Sequence, residues 1–84
     1  MTRTPITFAD LQREKPDQFC VARPCDPEEI VLWVDVDWDN SDDDAIRFDV
    51  INGAWPGLIN TNGRLIIGAE LHEVVLYPFE KMYA

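Results

Sequence analysis

The nine residues from Ile30 to Trp38 alternate. Val31, Trp33, Asp35 and Asp37 occupy the odd positions, and Ile30, Leu32, Val34, Val36 and Trp38 the even ones. Successive side chains of a β-strand point to opposite faces, so this pattern predicts a half-buried strand. Its even face enters a core and its odd face carries the aspartates. A polar turn follows over Asp39 to Asp44. Ala45 to Ile51 then alternates again, with Ile46, Phe48 and Val50 inward and Arg47 and Asp49 outward. Two such runs around a short polar turn predict a β-hairpin.

Around this hairpin the chain carries further strand signals and one helix signal. Thr7 is a helix N-cap, and Asp10 at the third helical position completes a capping box. Phe8 and Leu11 share one face, and Pro16 ends the helix by Lys15. Phe19 to Ala22 reads as a short first strand, closed by the turn chemistry of Pro24, Asp26 and Pro27. Asn52-Gly53 predicts a type I′ hairpin turn. It leads into a segment from Ala54 that Pro56 and Gly57 mark as an edge or bulged strand. Asn62-Gly63 marks a second turn of that kind before Arg64 to Ile67. Leu71 to Tyr77 reads as one last strand, stopped by Pro78. The expected fold class is α+β: an antiparallel sheet of four to six strands with one short N-terminal helix packed on one face or end.

At 84 residues the chain forms one domain, residues 1–84. Its 46% apolar content supports a globular core rather than general disorder. No apolar run approaches the roughly 20 residues needed to cross a bilayer. The first ten residues carry no hydrophobic signal core, which predicts a cytoplasmic protein. Cys20 and Cys25 are five positions apart; the spacing allows a disulfide, but reduced thiols fit this compartment better. As half of a zinc site the pair is poor, because only His72 offers a third soft ligand.

The charge is not evenly spread. Between Arg23 and Arg47 there is no Lys or Arg, and there are nine acids: Asp26, Glu28, Glu29, Asp35, Asp37, Asp39, Asp42, Asp43 and Asp44. The rest of the chain holds seven acids and seven bases, so this one segment supplies the whole net charge of −9.

Three chemistries are open to such an acidic segment. The spacing Asp35-x-Asp37-x-Asp39 opens like an EF-hand, but Asn40 stands where glycine is required and Ile46 where the bidentate glutamate is required. Carboxylate-pair hydrolysis needs a cleft and one carboxyl in an apolar pocket, which crowded surface acids do not offer. His72 beside Glu73 reads as a sheet residue whose neighbour faces the other way. No nucleophile motif, phosphate loop or metal triad is present, so neither catalysis nor a cofactor or metal is expected. The third chemistry is binding through the field itself. Asp35 and Asp37 form an outward row at about 6.6 Å spacing, extended by Asp39, Asp42, Asp43 and Asp44. Such a row resembles nucleic-acid phosphates, repels DNA and RNA, and attracts the basic grooves that bind them. Trp33, on the same face, would be an apolar anchor. An acidic turn can also be merely a solvated loop, but nine acids without a base exceed what solubility requires.

In its size, its acidic run Asp26 to Asp44 and its lack of catalytic residues, the chain resembles the small phage-encoded anti-CRISPR proteins. That resemblance implies stoichiometric binding to a CRISPR–Cas effector, in particular a type I Cascade complex in the host cytoplasm. It does not distinguish a DNA mimic from a blocker of later steps, and it transfers no individual residue. A second reading is an immunity or antitoxin protein that plugs a nuclease toxin, and a third is a divalent-metal-responsive structural module. In the leading reading the partner is a basic protein surface, neither nucleic acid nor membrane, contacted by Trp33, Asp35, Asp37, Asp39, Asp42, Asp43 and Asp44. Oligomeric state does not follow from the sequence.

Overall fold

The computed structural model describes residues 4–53 and 55–80. The chain begins with helix α1, Phe8–Glu14, as its capping pattern predicts. The Thr7 amide donates to Asp10 Oδ2 at 3.0 Å, and the Asp10 amide donates to Thr7 Oγ1 at 3.1 Å. Two otherwise unpaired donors of the first turn are thereby satisfied. Lys15 closes the helix in a left-handed conformation, φ 46°, with its amide donating to the Leu11 carbonyl, and Pro16 keeps the helix from continuing. Phe8 and Leu11 are buried, and this burial is what stabilises a helix of two turns.

The Thr7 bonds, together with the Arg13 guanidinium beside it, hold the Asp10 carboxyl below the usual carboxylate range. A carboxyl whose folded pKa is depressed contributes stability above its unfolded pKa of about 4, and that contribution is lost as pH falls through the folded value. Wild type should therefore exceed Asp10→Asn in melting temperature near neutral pH, and the gap should close as pH falls toward about 2. An equal gap at both ends of this range would show that the charge is not responsible.

Seven strands follow: β1 Gln18–Arg23, β2 Asp26–Asp37, β3 Ala45–Val50, β4 Pro56–Asn60, β5 Leu65–Ile67, β6 Glu70–His72 and β7 Val75–Pro78. All pairs are antiparallel, in the order β6-β5-β4-β3-β2-β1-β7. The α+β class is as expected, with more strands than four to six. The extra strand comes from Leu71 to Tyr77, which is not one strand. It breaks at Glu73 and Val74 into β6 and β7, which lie at opposite ends of the sheet order. Three peptide steps separate His72 from Val75, so their Cα atoms are at most about 11 Å apart. Two edges joined by so short a link must meet at that corner, and the sheet therefore curls into an open barrel. Ile6 seals the outer edge of β7 by an antiparallel bridge to Leu76.

The inward face of the curled sheet carries Phe19, Val21, Val34, Ile46, Phe48, Val50, Ile59, Leu65 and Leu76, joined by Phe8 and Leu11 of α1. Phe19 and Phe48 meet edge to face at 5.9 Å. Val36 and Trp38 pack against this cluster from its margin. Trp38 also donates its indole N–H to the Pro16 carbonyl at 2.7 Å, tying the end of β2 to the exit from the helix.

Both Asn-Gly pairs form turns, but neither is type I′. Among the described residues only Lys15, Gly63 and Gly68 have positive φ. At Asn52 the side chain overrides the turn preference: Oδ1 accepts from the Trp33 amide and Nδ2 donates to the Val31 carbonyl, both at 3.1 Å. The Asn52 amide thus continues the β2–β3 ladder in place of a peptide group. The ring of the exposed Trp55 lies against Gly53, where a side chain would otherwise project. The expected strand start at Ala54 lies outside the described residues. At Asn60 to Arg64 the loop is the three-residue kind, with Gly63 alone left-handed at φ 76° and Asn60 Oδ1 accepting from the Asn62 and Arg64 amides.

Among the described residues no helix is long and apolar enough to cross a membrane. Cys20 and Cys25 are not joined in a disulfide; Cys20 is buried in β1 and Cys25 is exposed at the tip of the β1–β2 hairpin.

Candidate functional site

The β2–β3 hairpin forms as its alternation predicts, with Val34 opposite Val50, Asp35 opposite Asp49, Val36 opposite Phe48 and Asp37 opposite Arg47. Residues directly opposite one another in neighbouring strands project from the same face. Val34, Val50 and Phe48 are buried, so Asp35, Asp37, Arg47 and Asp49 lie on the exterior of the barrel. This register produces a pairing that composition cannot show. Asp35 and Asp49, both exposed, face each other across the hairpin. Their lateral neighbours are Gln18 on β1 and Pro56 on β4, so the row of four carries two acids and no base. Like charges placed opposite each other are destabilising. Asp49 sits outside the acid-only segment, and only the register joins it to that segment.

The polar turn after β2 is a structured loop rather than a loose one. Trp38–Asn40 is a single 3₁₀ turn. Asp37 Oδ2 accepts from the Asn40 side chain at 2.7 Å. The Ser41 hydroxyl donates to the Asp37 carbonyl and accepts from the Arg47 amide, both at 2.7 Å, which closes the loop across its base. Asp42 Oδ1 accepts from the Asp44 and Ala45 amides at 2.8 and 3.0 Å. The Gln12 side chain donates to the Asp42 carbonyl at 2.7 Å and fastens the loop to α1. Two of the six aspartates, Asp37 and Asp42, thus help to hold the loop. Asp39, Asp43 and Asp44 are exposed on it.

Trp33 shares the exterior face with Asp35, but it is not a free anchor. Opposite it on β1 is Cys20, which in turn lies opposite Tyr77 on β7. Cys20, Ala22 and Tyr77 form a second, small core outside the barrel, with Ile30, Trp33 and Val75 packed against it. The segment after β7 covers this cluster. The Trp33 indole N–H donates to the Glu80 carbonyl at 2.9 Å, and the Glu80 amide donates to Cys20 Sγ at 3.3 Å. Tyr77 Oη spans β1 to donate to the Pro27 carbonyl at 2.8 Å. Trp33 is consequently half-buried beside the acidic row.

Two concavities flank these features. A shallow depression of about 570 Å³ lies beside the acidic row and is lined by Asp37, Arg47, Asp49, Pro56, Leu58 and Ile66, among others. The second, of about 460 Å³, is at one mouth of the barrel, where Val21 and Leu32 approach Leu65 and Ile67 beneath Trp55. His72 lies at its rim, exposed, with Nε2 3.6 Å from a Glu70 carboxylate oxygen. Among the described residues no group of three or more His, Cys, Asp and Glu side chains is placed to hold a metal ion. No protein-family model, curated protein or solved structure matches the chain.

Proposed function

We propose that this protein is a non-catalytic inhibitor that binds a basic, nucleic-acid-handling protein through the exterior of β2 and β3 and the loop between them. The observation that carries this reading is the Asp35–Asp49 pair. Two like charges held opposite each other on a rigid hairpin oppose folding, and a cationic partner would relieve that repulsion. Asp37, Asp39, Asp42, Asp43 and Asp44 extend the negative field along the same end of the barrel, and Trp33 borders it. The partner class we favour is a CRISPR–Cas effector, specifically a type I Cascade complex, which makes the protein an anti-CRISPR acting in a host cytoplasm. The same face would suit an immunity protein against a nuclease toxin.

The test uses affinity capture from host lysate to identify the partner, followed by titration with that partner purified. Affinity should fall at least tenfold between about 50 and about 200 mM salt. Asp35→Asn with Asp49→Asn should weaken binding by about 100-fold while leaving the melting temperature unchanged or higher. Binding that ignores both salt and this double substitution rules out the acidic interface. Recovery of a nuclease toxin in place of a Cascade subunit transfers the reading to immunity.

A further inference from the structure

Beside the acidic row the exterior of the barrel turns apolar, and charge alone does not account for that. Arg47 lies opposite Leu58, Leu58 opposite Ile66, and Ile66 opposite Leu71. These four residues therefore form one exterior row across β3, β4, β5 and β6. Leu58 and Ile66 are half-buried, and Leu71 is 55% exposed at the edge of the sheet. Pro56, exposed and opposite Asp49 in the neighbouring acidic row, extends the apolar surface toward the acids. At about 4.8 Å between strands, the stripe from Leu58 to Leu71 is about 10 Å wide. Pro56, Leu58 and Ile66 line the same depression as Asp37 and Asp49, so the acids and the apolar wall share one concave surface.

We propose that this surface receives an amphipathic basic segment of the partner. Its Lys or Arg side chains lie over Asp35, Asp37 and Asp49, and its apolar side chains lie on Pro56, Leu58, Ile66 and Leu71. The inference rests on the acidic face being an interface and adds the apolar half of that interface. Charge decides among the possible occupants. An anionic lipid surface is repelled by the aspartates at the border of the stripe. A second copy of this chain would bring one acidic row against another. A basic amphipathic segment satisfies both halves, because long cationic side chains lay apolar stems on apolar surface while their heads reach the carboxylates. Arg47 stands on the seam between the two halves. It opposes a cationic ligand, so its removal should strengthen binding.

The probes are two synthetic peptides of equal positive charge, one an amphipathic Leu/Lys sequence and the other with every leucine replaced by serine. Each is titrated into the full chain by calorimetry and by amide NMR shifts. The Leu/Lys peptide should bind at least about tenfold tighter, with shifts on β4, β5 and β6 as well as on β2 and β3. Leu71→Ser should remove most of that advantage without moving the denaturation midpoint, Leu71→Met should restore it, and Arg47→Gln should tighten binding several-fold. Equal, salt-sensitive binding of the two peptides would overturn the apolar half and leave the acidic interface standing. Binding of neither peptide would overturn both. Self-association of the free protein that Leu71→Ser abolishes would assign the stripe to a second copy and also overturn the proposal.

Discussion

Truncation of Phe19 to alanine is expected to cost about 4 kcal/mol of folding stability. Among the described residues Phe19 is the largest fully buried side chain, at 0% exposure. It sits in β1 between Val34 of β2 and Pro78 of β7, and it meets the Phe48 ring edge to face. Because the barrel closes around it, several strands would have to shift to fill the space left behind, and incomplete collapse is what raises the cost above simple transfer. A chain of this size has a total stability of about 4 to 13 kcal/mol, so the variant should lose between about a third and all of it. Urea denaturation followed by tryptophan fluorescence measures the change. Phe79→Ala is the control: Phe79 is 40% exposed after β7, and its loss should cost less than about 1 kcal/mol. Similar losses for the two variants would show that the barrel interior is not the core.

The second large effect is expected at Gly57. A β-carbon built there would lie 2.8 Å from the Phe48 ring and 3.0 Å from the Ile66 carbonyl oxygen. Gly57 faces Phe48 across β3 and β4, so the aromatic ring occupies the space a side chain would need. Its backbone is not in the left-handed region, and the constraint is therefore steric. Gly57→Ala should destabilise by about 1 to 3 kcal/mol and Gly57→Val by at least as much, although valine is by propensity the better strand residue. Phe48→Leu should recover part of the loss in the Gly57→Ala background, giving a coupling of at least about 0.5 kcal/mol in a double-mutant cycle. If Gly57→Val stabilises the protein, propensity governs this position and the close approach does not.

Both effects arise from the inward face, which was the more legible half of the protein. Val34, Ile46, Phe48 and Val50 announce that face by alternation alone, and the hairpin they form has the expected partners. The helix was legible for the same reason. Thr7, Asp10, Leu11 and Pro16 act on one another within ten residues, and no distant part of the chain is needed to decide the outcome. The candidate site was legible only in part. The odd face of β2 did place Trp33, Asp35 and Asp37 on one side of the sheet. Asp49 was assigned outward too, but nothing local marked it as the residue opposite Asp35, because that depends on the register between two strands. The apolar stripe of Leu58, Ile66 and Leu71 was missed because each residue lies on a different strand.

Three differences between expectation and structure share one cause. The run Leu71 to Tyr77 looks continuous, yet it divides because its two halves find partners at opposite edges of a curling sheet. Asn52-Gly53 carries the strongest hairpin signal, yet the Asn52 side-chain amide serves the backbone of β2 and neither residue has positive φ. Trp33 was expected to be an outward apolar anchor beside the acids, and its indole is held by Glu80, 47 residues further on. In each case a local preference worth at most a few kcal/mol yields to hydrogen bonds and burial supplied from elsewhere in the chain.

The sequence by itself determined the capped helix, the alternating hairpin and the concentration of negative charge between Arg23 and Arg47. These follow from side-chain periodicity, local hydrogen bonding and a count of charges, all of which act over a few residues. Only the tertiary structure decided that the sheet curls into an open barrel, that Asp35 meets Asp49, and that an apolar stripe runs from the acidic row to the edge of β6. Those features depend on which strands pair and in which register, and that is settled by burying the whole inward face at once.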